Sequence, residues 1–292
     1  MAYDPYDTQS GTSLAAPFVS GTCALVWSVH PDWPNYKVAY QVMHTADDVE
    51  AAGFDIYTGW GRVNAWRAVS ETIVDVQKPS DVKLMSANTL VMLHGQVLST
   101  SSGELGGRLY VQTEDRSSGV LLSFGSSVPA GLSEGDKVDV LGQVADVSGE
   151  RGIVSPVVIK LGTGSSPKPL GLSNRALGGG AFGLQGAVVD RYSLPRKMAA
   201  GLNNIGLLVK TAGKVTAVAS DWFYIDDGSR LRDDTGNTGV RVSFDPDKIV
   251  RPDTGQYVSV TGISSCEFVP NSTTIRRRVL RPRKQDDIRV LR

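Results

Sequence analysis

The chain reads as a mixed protein, a short helical segment followed by two small all-β barrels. Three observations predict this. Residues 13–29 are small or apolar and almost uncharged, and the run is too long for a strand. After Val76 short alternating apolar runs take over, separated by Gly, Ser, Asp and Pro, the pattern of strands and turns. That second texture then occurs twice, with its glycines at nearly the same spacing.

Composition narrows the functional classes. The 292 residues suit two or three domains. Thirty basic residues balance thirty acidic ones, so no global field points to nucleic acid or a membrane surface. A 41% hydrophobic content is enough to fill cores, and 32 glycines favour turn-rich β structure. No apolar run is expected to span a membrane, and no basic-then-apolar leader pattern opens the chain. Cys23 and Cys266 lie far apart and read as small core residues rather than as a disulfide or a catalytic thiol.

In chain order, residues 1–10 are polar and turn-like. Gly11-Thr12 is a tight turn, and Ser13 opens a helix expected to be buried to about Val29, with Pro17 placed in its first turn. His30-Pro31 stops it. Asn35 is expected to cap a second helix over about 36–45. Residues 53–65 form a Gly-punctuated loop, and a third helix is predicted over about 64–73. Lys78-Pro79-Ser80 marks a boundary.

The repeat follows. In the first copy Gly95, Gly119, Gly135 and Gly142 are separated by 24, 16 and 7 residues; in the second, Gly213, Gly239, Gly255 and Gly262 are separated by 26, 16 and 7. Each copy of about 75 residues reads as roughly five strands with a Gly-Asp or Gly-Gln turn before a Val-x-Val strand. By pattern it resembles the OB-type Greek-key barrel. Residues 162–169 read as a Gly/Ser/Pro linker and 171–204 as an irregular excursion. The expected division is a helical segment at 1–76, a first barrel at 77–162, a linker and excursion at 163–204, and a second barrel at 205–292.

Ser13 is the residue with chemistry in reach. At a helix N-terminus, unpaired N–H groups and the positive dipole end favour the negative charge that a serine's attack creates. As a structural residue, it would be a helix cap. The run Gly11-Thr12-Ser13-Leu14-Ala15-Ala16-Pro17 resembles the signature around the nucleophilic serine of the subtilisin-like serine proteases, with Leu14 where Met is usual and Phe18 where His is common. The likeness continues through His30-Pro31-Asp32-Trp33, Thr45-Ala46 and Gly59-Trp60-Gly61-Arg62-Val63-Asn64-Ala65, and so covers residues 1–74, the C-terminal end of a catalytic domain. It implies that Ser13 is the nucleophile and its N–H an oxyanion donor, with Gly11, Thr12, Ala15 and Pro17 supporting the motif. It also implies a peptide or protein substrate, secretion, and at most a Ca²⁺ as cofactor.

That family orders its triad Asp, His, Ser, so the base, its orienting Asp and the oxyanion Asn are expected upstream of Ser13. His30, His44 and His94 all lie downstream, and Asp234-Thr235-Gly236 and Asp253-Thr254-Gly255 read as turns. A polypeptide of these residues alone is therefore expected to be inactive. The other reading is a non-catalytic module whose barrels bind a glycan, a protein or single-stranded nucleic acid. The basic run Arg276–Lys284 and exposed Trp222, Phe223 and Tyr224 are what such an interface would use; as structural residues, the arginines would be a solvated strand end over Asp286 and Asp287. With neutral overall charge, nucleic acid is not the expected partner. Asp226-Asp227 and Asp233-Asp234 fall in loops without the spacing of an EF-hand.

Overall fold

The computed structural model describes residues 10–50, 54–125, 128–192 and 196–291. Residues 1–9, expected to be turn-like, and the start of the 53–65 loop lie outside the described residues. The chain divides into two compact units, Met1–Ile73 and Val74–Arg292.

The first unit is helical: α1 (Thr12–Val29), α2 (Asn35–His44) and α3 (Ala65–Ser70). They meet through Val26 of α1, Val38 and Val42 of α2 and Ala68 of α3, with Cys23, Trp33, Val63 and Val69 at the margin. Gln41, fully buried, donates to the carbonyl of Ala68 at 3.1 Å and so ties α2 to α3. This small core corrects one expectation. Only Thr22 and Val26 of α1 are buried, while Phe18 is 71% and Leu25 51% exposed. Two short helices cover one stripe of α1, and the rest of its apolar surface has nothing to pack on among the described residues. Contrary to expectation, α1 is also long and apolar enough to cross a membrane, by length and composition, a test that core helices of soluble domains pass as well.

Local details differ too. The helix begins at Thr12, so Pro17 is its sixth residue rather than in its first turn, and its missing N–H leaves the carbonyl of Ser13 without the usual partner four residues on. Pro34, not Asn35, occupies the position before α2. The third helix is only six residues long. Asn64 caps it, its side-chain oxygen accepting from the Arg67 N–H at 3.0 Å.

The second unit starts with β1 (Val74–Val76) and a single turn of helix, α4 (Pro79–Val82). The first barrel follows: β2 (Leu90–Leu98), β3 (Arg108–Gln112), β4 (Gly119–Ser123), β5 (Asp136–Val147) and β6 (Glu150–Thr163). Their order is β2-β3-β4-β6-β5, and β5 pairs back onto β2 to close the barrel, with β4 and β6 parallel. Three short strands, β7 (Leu170–Gly171), β8 (Val189–Arg191) and β9 (Lys197–Met198), punctuate the connection. The second barrel comprises β10 (Leu208–Val218), β11 (Trp222–Asp226), β12 (Val240–Ser243), β13 (Tyr257–Phe268) and β14 (Arg276–Arg281), and β15 (Ile288–Val290) is added at one edge. Its order is β10-β11-β12-β14-β13, closed by β13 on β10, with β12 parallel to β14.

The two barrels thus share one topology, that of the OB type, and the glycine repeat marks equivalent places in it. Gly135 and Gly255 precede β5 and β13 with φ of +91° and +93°, a backbone conformation that residues bearing a Cβ rarely adopt. Alternation fills each interior. Leu109, Val111, Val120 and Leu122 point into the first barrel, and Phe223, Ile225, Val240 and Val242 into the second. The opposite faces of β3 and β4 do not meet water. Tyr110 and Leu121 pack on Leu208 and Ile263 of the second barrel, all four at most 1% exposed.

Candidate functional site

Ser13 is the second residue of α1, exposed, one turn before the apolar stretch. The carbonyl of Gly11 takes the N–H groups of Leu14 and Ala15, at 3.0 and 3.2 Å. The N–H groups of Thr12 and Ser13 are left unpaired among the described residues, and they point out of the helix end where its dipole is positive. The hydroxyl of Ser13 likewise has no hydrogen-bond partner among the described residues. This is the arrangement a nucleophile with its own oxyanion donor requires. It lacks a base.

Neither histidine of the helical unit, both beyond Ser13's own turn, supplies one. His30 is seventeen residues further along the same helix, roughly 25 Å away at the helical rise, and stacks on Trp33 at 3.9 Å. His44 lies between Tyr40 and Trp60, with ring centroids 3.9 and 4.3 Å away, and burial pushes its pKa down to about 4. His94 belongs to β2 of the other unit, where it bridges Asp75 at 2.8 Å and Asp139 at 3.4 Å. Asp234 and Asp253 are in loops of the second barrel, and Asp234 pairs with Arg277 at 3.1 Å.

The later motif has a structural meaning that the sequence signalled only as a pattern. Asp47 and Arg62 exchange two backbone hydrogen bonds of 2.8 and 2.9 Å. Gly61, at φ +104°, passes so close that a Cβ would sit 2.1 Å from the Asp47 carbonyl oxygen. Asn64 then donates to the Asp47 carboxylate at 2.9 Å and caps α3. Gly-Arg-Val-Asn-Ala therefore folds the end of the helical unit back on the C-terminus of α2. Beside α1, Ala15, Phe18, Val19, Val42 and Trp60 border a largely apolar cleft of about 380 Å³.

The expected barrel interface is not formed by the residues named for it. Phe223 is in the second barrel's core and Tyr224 is fully buried, its hydroxyl donating to Asp233 at 2.6 Å; Trp222 is half-buried, with the Arg241 guanidinium 5.2 Å from its ring. Nor is the basic run a solvated end. Arg277, Arg278 and Arg283 are each at most 8% exposed. Arg278 reaches the Leu177 and Val189 carbonyls, both at 2.7 Å, and Arg283 pairs with Asp287 at 3.0 Å and Glu134 at 2.6 Å. These arginines bond the barrels and the connection. Among the described residues no group of three His, Cys, Asp or Glu side chains is placed to hold a metal ion.

The helical unit thus opens on an exposed serine at a helix N-terminus, in a Gly-Thr-Ser-x-Ala-x-Pro setting. The sequence profile of the Subtilase family matches residues 1–61, so this N-terminal segment is similar to that family, and two OB-like barrels follow it. An extracellular serine protease of Serratia marcescens is 38% identical over 65 residues, 22% of this chain and 6% of that protein. Subtilisin of Bacillus pumilus is 38% identical over 63 residues, 22% of each chain. The match thus spans a small part of these relatives. Among solved structures, the HINa domain of Ifi202 in complex with a 20-base-pair DNA duplex aligns with 70% of this chain and 95% of its own, at 10% identity and a TM-score of 0.28.

Proposed function

We propose that Ser13 is the nucleophile of a subtilisin-like serine endopeptidase, attacking the peptide carbonyl to give an acyl-serine while its own N–H steadies the oxyanion. The observation that carries this is the hydroxyl and N–H of Ser13, both without a partner among the described residues, at the start of α1 and inside the family motif. The base, its orienting carboxylate and the second oxyanion donor come from chain outside the 292 residues. The bare apolar flank of α1 and the cleft beside it support this, because they are the surface on which such a segment would pack. Secretion is part of the same reading, since the Serratia relative is extracellular.

Without the rest of the triad only binding and oxyanion effects remain. The 292-residue polypeptide should therefore show no fluorophosphonate labelling of Ser13 above background. A version extended at its N-terminus by an Asp-, His- and Asn-bearing subtilase segment should label and cleave peptides. In that version Ser13→Ala should reduce turnover on the order of 10⁶-fold, the size of the loss known for subtilisin's own serine. Undiminished cleavage by the Ser13→Ala form would end the assignment.

A further inference from the structure

Two clefts beside the linker gather cations, some of them without a partner among the described residues. The first, about 560 Å³, lies at the end of the first barrel, under the 161–168 segment. Its donors are Arg116, Lys137 and Lys168 with the hydroxyls of Thr163, Ser165 and Ser166; its one carboxylate, Glu114, is 3.4 Å from Lys137. The second cleft, about 300 Å³, lies on the second barrel and brings in Lys210, Lys284 and Arg289. Pro167 lines both, so the two clefts adjoin at the linker.

Together seven cations and four carboxylates line the path. The acids are mostly neutralised: Glu134 and Asp287 hold the buried Arg283. Arg116, Lys168, Lys210 and Arg289, by contrast, make no ion pair or side-chain hydrogen bond among the described residues. Four unpaired cations strung over two barrels suit an extended anion better than a compact one. No aromatic side chain lines either cleft, so rings have no stacking platform, and what is recognised must be the repeating charge. The usual ligand face of an OB barrel, over its second and third strands, is in the first barrel covered by Leu208 and Ile263.

We propose that this double cleft binds a phosphodiester chain through its backbone, independently of the serine site. The chain is either a single-stranded nucleic acid or a polyol phosphate. On single strands each neutralised phosphate contributes about 0.7 to the slope of log affinity against log salt, so four contacts give a slope of about −3.

The test titrates the full 292-residue chain with two fluorescein-labelled probes of equal phosphate number, a thymidylate 20-mer and a glycerol-phosphate oligomer, between 50 and 200 mM salt. The expected result is binding of at least one probe with a slope near −3, and the tighter probe names the source. Arg116→Ala, Lys168→Ala, Lys210→Ala and Arg289→Ala should each flatten the slope by about 0.7, and all four together should abolish the salt-dependent binding. Arg230→Ala, an exposed cation that lines neither cleft, should change nothing. All these sites are at or near the surface, and unchanged melting of the variants confirms that they fold. No binding at 50 mM salt, binding untouched by the four substitutions, or equal affinity for polyglutamate would each overturn the proposal.

Discussion

Ser13 and His44 show how far single residues carry meaning. Ser13 was legible because its neighbours form a short, specific run, and the helix that follows exposes its first N–H groups. His44 was not. In the sequence it is a histidine near a helix end; in the structure Tyr40 and Trp60 enclose its ring, and desolvation holds its pKa at about 4 instead of 6.5. The unfolded chain then binds a proton between pH 6.5 and 4 that the folded unit refuses, so stability falls as pH falls through that window. Helical ellipticity followed by thermal melting should show the N-terminal unit losing stability from pH 6.5 to 4. In His44→Phe, which keeps the stacking, that part of the loss should vanish. Equal pH dependence in both proteins would show that His44 is solvated.

At the scale of elements, the Gly59–Ala65 loop is where motif and mechanics coincide. Its motif letters are a close approach at Gly61, a bridge at Arg62 and a cap at Asn64. Asn64→Ala removes both the cap and the bond to Asp47, and should lower the stability of the helical unit by about 1 kcal/mol or more. Gly61→Ala should cost more than this, because the added carbon meets the Asp47 carbonyl at 2.1 Å and the backbone is at positive φ. Denaturant midpoints rank the two, and a Gly61→Ala no weaker than wild type would contradict the geometry. The strands were readable for the opposite reason. Alternating Val, Leu and Ile with turn glycines at fixed steps recurs twice, and a period that repeats with a fold's own spacing is hard to produce otherwise.

For the molecule as a whole, the joint between the barrels is decisive, and it turns on Glu150. This carboxylate, 0% exposed, accepts from Arg108 at 3.2 Å, from the Tyr110 hydroxyl at 3.0 Å and from Ser265 of the second barrel. Arg281 in turn donates to Ser265 at 2.9 Å. Glu150→Ala leaves the buried Tyr110 and Ser265 hydroxyls without their acceptor, while Arg108, 22% exposed, regains water, and should cost about 1–3 kcal/mol, the usual penalty for stranding buried hydrogen-bonding groups. Calorimetry of the Val74–Arg292 unit within the full chain should show its single transition splitting or moving sharply down. A small, uniform shift would mean that the apolar contacts of Tyr110, Leu121, Leu208 and Ile263 suffice.

By itself the sequence determined the local order: where helices and strands run, that the β unit is doubled, and that Ser13 stands in a subtilase motif. These are near-neighbour properties, set by periodicity, turn chemistry and short spacing. Only the tertiary structure decided which surfaces face water. It left α1 largely bare, drew Phe223, Tyr224 and most of the Arg276–Lys284 run into the interior, and gathered Arg116, Lys168, Lys210 and Arg289 along one path. Burial and charge pairing depend on residues a hundred or more positions apart, as Glu150 and Ser265 are, and no local pattern announces which acid an arginine will meet.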